Sequence, residues 1–259
     1  MILIDKLCYR SALRYVNAEE KFAFAVITLF FCVISRSFLV AAAALAVNTF
    51  LTVKKGKISI NLYVRLLRIP SAFLLLGTLA ILVNITETPL DAFAIPVGEW
   101  YITGSVSSLW LGLRLILTAL AAVSCLYFLS LNTTMTDILG VLSRLHCPAL
   151  LTELMLLIYR FIFLLMETAS EITTAQHSRL GNKDFRTSVK SFGSMGAVLF
   201  IRAMKRSNAL YDAMEARGYD GKIRVLRKSY PAKAKEIAGI VLFEAVLLAL
   251  MVLSWSIRK

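Results

Sequence analysis

The chain has 259 residues, of which 58% are hydrophobic and only 17% are charged. Soluble globular domains average about 45–50% apolar and about 25% charged residues, so this composition excludes an ordinary soluble domain and a disordered chain. The 29 lysines and arginines and 16 acidic residues give a formal charge of +13. In a membrane protein such an excess reports mainly on topology, because basic residues collect in cytoplasmic loops. We therefore expect an all-α integral membrane protein.

Four predicted spans form an N-terminal membrane domain over residues 1–131. Residues 22–53 are largely apolar and contain one charged residue, Arg36, within Ser35-Arg36-Ser37. One helix over this stretch would be about 48 Å long at 1.5 Å per residue, whereas the hydrocarbon core is about 30 Å thick. A hairpin of two short spans fits better. The predicted spans are 22–35, 38–53, 69–85 and 109–131.

Loop charges predict the orientation of these spans. Residues 54–68 contain five lysines and arginines, whereas residues 86–107 contain three acidic residues and no basic one. Since cytoplasmic loops are the basic ones, the first loop is expected inside and the second outside. With about five transmembrane helices in total, the N-terminus and the long segment 132–236 are then cytoplasmic, and the Arg258-Lys259 tail is external.

The segment 132–236 is predicted to be a cytoplasmic helical domain with 16 basic and nine acidic residues. Its apolar residues recur at steps of three and four, which is typical of amphipathic helices. The predicted helices cover about 135–146, 148–180 and 188–218, and residues 237–259 then form the last transmembrane helix and tail. Residues 149–166 are apolar enough for a sixth span. A cytoplasmic or interfacial position is favoured, because Glu153, Arg160 and Glu167 recur on one side and a sixth span would place basic residues 179–235 outside.

Both long predicted helices end in an arginine followed closely by a glycine. The first ends in Arg179-Leu180-Gly181 and the second in Ala216-Arg217-Gly218. A glycine after the last turn closes a helix in the left-handed conformation, and the negative end of the helix dipole favours an arginine. The arginine fork also suits carboxylates and helix-terminal carbonyls. We interpret the repeated ends as docking points at neighbouring helix tips.

Two further groups of residues are singled out by their type and position. Gly193, Gly196 and Ala197 are small residues that let another helix approach closely, so we predict a helix crossing there. Arg114 and Glu244 are ionisable residues inside predicted spans, where charge is costly and usually functional or paired. They either pair, or Arg114 extends towards the membrane surface while Glu244 faces a packed interface.

These motifs resemble those of the transmembrane T component of energy-coupling factor transporters (EcfT), and more closely those of its cobalt-type member, CbiQ. Ala216-Arg217-Gly218 matches the second Ala-Arg-Gly-like signature of that family. Ser178-Arg179-Leu180-Gly181 departs from the first, because its glycine is displaced by one position. The likeness covers most of residues 109–222.

The resemblance implies a non-catalytic subunit of an ATP-driven importer, with cytoplasmic coupling helices inserted before the last span. Such a subunit links two ABC-type ATPases (CbiO-like) to a substrate-capturing membrane subunit (CbiM-like) in a bacterial or archaeal cytoplasmic membrane. Arg179 and Arg217, with Gly181, Ala216 and Gly218, would dock the ATPases. Cobalt is the expected cargo. The alternatives are a T component for nickel or a vitamin, and a membrane-embedded lipid or prenyl transferase.

The sequence gives no sign of a catalytic, cofactor or metal site. No G-x-x-x-x-G-K-[ST] motif precedes either Gly-Lys pair, no acidic cluster suited to Mg²⁺ and phosphate occurs in 132–236, and His146 and His177 stand far apart. A basic module for nucleic acid or anionic lipid would explain the charge but not the twin helix ends. We expect contact with the lipid bilayer and no nucleic acid.

Overall fold

A computed structural model describes residues 3–82, 84–86, 93–97, 100–104, 106–221, 223 and 230–257. The chain divides into two compact units. Residues 2–138 and 228–259 form the membrane unit, and residues 139–227 form the hairpin unit. The predicted helical membrane fold is confirmed, and one short sheet that the sequence did not predict accompanies it.

The described elements follow one another in a largely helical order. They are α1 (Leu3–Arg10), a 3₁₀ helix (Ala12–Tyr15), α2 (Ala18–Ser35), α3 (Phe38–Phe50) with a π turn (Leu51–Lys55), α4 (Ile60–Leu82), β1 (Asn84–Thr86), β2 (Phe93–Val97), β3 (Trp100–Gly104), α5 (Val106–Asn132), α6 (Met135–Arg144), α7 (Ala149–Ser178), α8 (Phe185–Glu215) and α9 (Ala234–Ile257).

The membrane unit is built around α5, which packs against α1, α2, α3 and α4. Small residues make the closest contacts, since Cys32 of α2 packs with Ala41, Ala44 and Ala121 in one buried cluster. Small side chains let membrane helices approach closely. Such close packing stabilises helix association in lipid, where the hydrophobic effect does not drive it. The remaining helix, α9, packs on α2 and α3.

The break between α2 and α3 falls where the sequence predicts the hairpin tip. Arg36 ends α2 in the left-handed conformation with φ of 45°, and α3 begins two residues later. At the other end of α2, the Asn17 side chain accepts a hydrogen bond from the Glu19 amide at 2.8 Å. Such a cap satisfies one of the four amides that a helix leaves free at its start.

Helix α4 begins nine residues before the predicted span 69–85 and contains Pro70. A proline inside a helix leaves the carbonyl four residues earlier without its usual donor. Here the hydroxyl of Tyr127, from α5, donates to the Leu66 carbonyl at 3.2 Å. The neighbouring helix therefore satisfies the group that the proline leaves open, as a membrane interior requires.

The segment predicted as an external loop contains the short sheet. Its order is β1-β3-β2 with both pairs antiparallel, and the register aligns Asn84 with Thr103 and Ile95 with Ile102. The three acidic residues of this segment, Glu87, Asp91 and Glu99, lie outside the described residues. So does the Arg258-Lys259 tail.

Five of the described helices are long and apolar enough to cross a membrane, the number that the sequence predicts. They are Phe38–Lys55, Ile60–Leu79, Val106–Asn132, Ala149–Ser178 and Ala234–Ser256. The set differs from the prediction in one helix, because it includes α7 and lacks α2. Helix α2 is missing because Glu19, Glu20 and Lys21 occupy its first turns, and its apolar residues 22–35 cover about 21 Å. Helix α7 is included by length and composition, so its cytoplasmic or interfacial position stays a prediction.

Polar contacts tie three segments together at one end of the membrane unit. The buried Lys21 ammonium donates to the carbonyls of Leu13 at 3.0 Å and Asn132 at 2.9 Å. The Ser11 hydroxyl donates to the Asn132 side-chain oxygen at 2.6 Å. A Cβ on Gly56 would lie 2.6 Å from the same oxygen, so only glycine fits there. The start of α2, the turn after α3 and the end of α5 therefore lie together.

Candidate coupling site

The hairpin unit consists mainly of α7 and α8, which run antiparallel. Next to the connecting turn, the Gln176 side-chain amide donates to the Ser191 carbonyl at 2.8 Å, and the Thr173 hydroxyl contacts the Met195 sulfur at 3.4 Å. At the opposite end, the Tyr219 hydroxyl donates to the Glu153 carboxylate at 3.2 Å. Contacts at both ends thus hold the two helices side by side.

The middle of the hairpin is more open than its ends. A cavity of about 550 Å³ lies between the helices and is lined by Arg160, Glu167, Arg206 and Ala213, among others. Arg160 and Glu167 are two of the three charged residues that argued against a sixth span in the sequence. They line this cavity, in the part of the hairpin where α7 and α8 separate.

The end of α7 is closed by a residue other than the predicted glycine. Leu180, with φ of 56°, takes the left-handed position, and the Gly181 amide donates to the Gln176 carbonyl at 2.8 Å. Gly181 is needed for another reason, because a Cβ there would lie 2.9 Å from the Gln176 carbonyl oxygen and 3.0 Å from the Ser191 hydroxyl. That hydroxyl donates to the Gly181 carbonyl at 2.7 Å. The prediction that Gly181 supplies the left-handed residue is therefore wrong.

The end of α8 is closed as the sequence predicts. Gly218 has φ of 75°, its amide donates to the Glu215 carbonyl at 2.9 Å, and the Tyr219 amide donates to the Met214 carbonyl at 3.1 Å. These two bonds are those of a Schellman motif, with Ala216 and Arg217 as the last residues before the glycine.

The two arginines lie at opposite ends of the hairpin, which corrects the expectation of neighbouring tips. Arg179 is in the turn between α7 and α8, whereas Arg217 lies two residues after the end of α8. Since α8 has 31 residues, the separation along its axis is about 45 Å at 1.5 Å per residue. Both side chains are exposed, and neither makes a hydrogen bond or ion pair with another residue that the structure describes.

The small residues predicted at a helix crossing do not face α7. Gly193, Gly196 and Ala197 are exposed, and a Cβ added at either glycine would meet no described atom within 4 Å. The part of α8 that contacts α7 contains Ser191 and Met195 instead. A crossing at these small residues would therefore involve another helix, and it stays a prediction.

An apolar stripe on α8 escaped the sequence analysis. Phe185, Phe192 and Phe200 are 87%, 70% and 68% exposed, and at 3.6 residues per turn they lie on the same side of α8 as Gly193 and Gly196. The small residues thus form a notch within this stripe. The predicted helical face could not reveal it, because periodicity marks apolar positions without saying what covers them.

The two intramembrane ionisable residues have separate surroundings. The Thr28 hydroxyl of α2 donates to the Glu244 carboxylate of α9 at 2.7 Å, and no ion pair joins Glu244 to Arg114 among the described contacts. Arg114 lies half-buried in α5 and has a contact of its own. Glu244 therefore faces a packed interface between α2 and α9, which was one of the two alternatives.

No group of three or more histidine, cysteine or acidic residues suited to a metal ion occurs in the described part of the chain. The His177 ring contacts the Asn182 amide at 3.1 Å close to the α7–α8 turn. The exposed side chains of this unit include cationic ones, such as Arg179 and Arg217, and apolar ones, such as Phe185.

Comparison with known proteins identifies relatives of this chain. The family model described as CbiQ, cobalt transport protein, matches residues 10–229. An uncharacterized protein of Methanocaldococcus jannaschii is 33% identical over 97% of this chain and 93% of its own length. A putative fused cobalt transport protein CbiMQ of Methanocorpusculum labreanum is 31% identical over 96% of this chain and 42% of its own. The energy-coupling factor transporter transmembrane protein EcfT of Staphylococcus aureus is 29% identical over 61% and 64%.

Proposed function

Because this chain belongs to the CbiQ family of cobalt transport proteins, we propose that it is the coupling subunit of an ATP-driven cobalt importer. Its family and its relation to EcfT make it a non-catalytic membrane component of an ECF-type transporter. In the proposal, the α7–α8 hairpin lies in the cytoplasm and contacts two ATPases of the CbiO type. It transmits their movement to a substrate-capturing membrane subunit of the CbiM type.

One observation carries this proposal, the position of two exposed, capped arginines at opposite ends of one hairpin. A separation of about 45 Å along α8 allows Arg179 and Arg217 to contact different ATPase subunits at the same time. Each arginine follows a closed helix end that fixes its backbone, so docking has to order the side chain but not the helix end. Movement of either ATPase would then displace one end of the hairpin.

The cytoplasmic position of the hairpin is supported by contacts within the membrane unit. Lys21 at the start of α2 bonds to the carbonyl of Asn132, the last residue of α5, and Asn17 bonds to the carbonyl of Tyr230, four residues before α9. These three helix ends therefore lie on one side of the membrane. An even number of crossings must separate α5 from α9, and α7 is the one candidate between them in the described part of the chain. A hairpin that does not cross fits this requirement.

The proposed orientation places that side, and hence the N-terminus, in the cytoplasm of a bacterial or archaeal cell. Lys54, Lys55 and Lys57 lie in and after the π turn of α3, close to the same helix ends. Basic residues are enriched on the cytoplasmic side of membrane proteins. The fused relative supports the membrane partner, since its name joins CbiM with CbiQ.

The docking role is tested by reversing both charges together. We expect the Arg179→Glu, Arg217→Glu double variant to enter the membrane normally and to lose at least tenfold in ATPase recovered on co-purification, because two cationic contacts become repulsive. The matched control is Arg202→Glu, Lys205→Glu, which changes the same charge at exposed positions in the middle part of α8. Retained assembly and transport in the first variant would defeat the docking role.

The cargo is tested by uptake with the complete set of subunits in liposomes. Cobalt uptake that depends on ATP supports the proposal. Preference for nickel or a vitamin under the same conditions would identify a T component with another cargo.

A further inference from the structure

A cavity at the end of the membrane unit where α2 begins and α5 ends has an apolar floor and a basic rim. Its volume is about 700 Å³, within the range of about 300–1,000 Å³ that small-molecule sites occupy. It lies between α2, the end of α3, α5 and the start of α9. None of the contacts described for the coupling site involves this cavity.

The floor of the cavity is a cluster of three phenylalanines. Phe24 packs edge-on against Phe128 with ring centroids 5.1 Å apart, and it packs against Phe243 at 5.7 Å. Leu51 and Ile240 extend this apolar surface. Such a floor favours a hydrocarbon chain over water, because their contact removes the apolar surfaces of both the phenylalanines and the chain from water.

The rim carries more positive than negative charge. Lys54, Lys55, Lys57 and Lys235 are exposed at the cavity. A fifth lysine, Lys21, is engaged by two carbonyls.

Two acidic residues also line the cavity. Glu236 is paired with Lys233 at 3.9 Å. Burial, and then the Glu236 charge, raise the pKa of Glu20, and the four exposed lysines outnumber these two carboxylates. The rim is therefore suited to a negatively charged group placed above an apolar tail.

We propose that this cavity binds one anionic phospholipid of the cytoplasmic leaflet, with an acyl chain on the three phenylalanines and the headgroup phosphate at Lys54, Lys55 and Lys235. The depth of the cavity relative to the membrane surface is the reason for proposing a lipid. In the proposed orientation the lysines lie at the helix ends that face the cytoplasm, where anionic headgroups are found, and the phenylalanines lie deeper. The inference uses that orientation and is otherwise independent of the docking role of the arginines.

The binding test uses the purified, delipidated full chain in detergent, with native mass spectrometry to count bound lipid. We expect phosphatidylglycerol to bind several-fold more tightly than phosphatidylcholine with the same acyl chains. The Lys54→Gln, Lys55→Gln, Lys235→Gln variant should weaken phosphatidylglycerol binding by at least about five-fold, the effect of one surface cation. The matched control Lys183→Gln, Lys190→Gln, Lys205→Gln removes the same charge from α8 and the turn before it and should leave binding unchanged.

The apolar part of the site is tested at Gly239, which lines the cavity. A Cβ there would meet no described atom within 4 Å, so Gly239→Leu projects into the cavity without displacing the chain. We expect this variant to lose phosphatidylglycerol binding and Gly239→Ala to keep most of it. The exposed lysine variants decide the question if Gly239→Leu fails to fold.

Four results would overturn the proposal. The first two are equal binding of both lipids and unchanged phosphatidylglycerol binding in Gly239→Leu. The third is full displacement of the lipid by millimolar inorganic phosphate, which would identify a site for a free anion. The fourth is a cross-link from Gly239→Cys to a partner subunit in the assembled transporter, which would identify a protein interface. ATPase co-purification is measured separately, so failure here is distinguishable from failure of the coupling role.

Discussion

The two arginine-bearing helix ends look alike in the sequence but are closed by different residues. Gly218 supplies the left-handed residue after Arg217, whereas Leu180 does so after Arg179. A leucine in this conformation costs about 1–2 kcal/mol. The displaced glycine at 181 is required by the close approach of the turn to Ser191, a contact between residues ten positions apart that a local motif does not encode.

Replacing Gly181 should loosen the hairpin at the Arg179 end. We expect Gly181→Ala to lower the local stability of the turn by about 1–3 kcal/mol, the usual cost of forcing a group into a packed site, since the new Cβ meets a backbone carbonyl. Gly193→Ala is the control. It meets no described atom and should gain about 0.5–1 kcal/mol from helix propensity.

Hydrogen exchange of the α7 and α8 amides measures both effects, because exchange reports local opening. Slower or unchanged exchange at residues 176–191 in Gly181→Ala would contradict the close approach of the turn to α8.

At the scale of elements, periodicity and charge predicted most of the helices but fewer of the residues at which they begin and end. The sequence predicted a helix over 148–180 and the structure has α7 at Ala149–Ser178, because Pro148 and the Arg-Leu-Gly end are local signals. The early start of α4 was missed. Arg65 and Arg68 marked a loop by charge, yet they lie within a helix that starts at Ile60. Charge locates the cytoplasmic side and does not end a helix.

The position of a helix relative to the membrane was harder to derive than its existence. Helix α2 is too short in its apolar part to qualify by length, and its place in the membrane unit follows from packing against α5 and α9. Helix α7 qualifies by length, and the argument against a crossing rests on contacts made by Lys21 and Asn17. Such contacts between distant residues are not visible in one sequence.

The notch on α8 gives a prediction at the same scale. We expect Gly193→Leu to leave insertion and folding of the isolated chain unchanged, because its Cβ meets nothing described, and to reduce ATP-dependent transport at least tenfold by blocking the approach of another helix. The control is Ser194→Leu, which places the same leucine side chain beside the notch and not in it.

Transport assays with the complete set of subunits compare the two leucine variants. Normal transport in Gly193→Leu would show that no helix crosses α8 at the notch.

For the whole molecule, the sequence resemblance indicated the family before the geometry was known, and the structure corrected the expected position of the two arginines. The sequence suggested that the two arginine tips are neighbours, with each docking one of two ATPases. In the structure the tips are separated by about 45 Å along α8, and in our proposal the hairpin therefore connects two partners from its opposite ends. Its helices are bonded at both ends and separated in the middle by a cavity.

The most direct test of this coupling role is photo-cross-linking in the assembled transporter. A benzophenone side chain is placed at Arg179 or at Arg217, with Ser207 on exposed α8 as the control position. The account predicts that both arginine positions give a covalent product with the ATPase and that Ser207 gives none. Cross-links from both arginine positions to lipid alone, with no ATPase product, would contradict it.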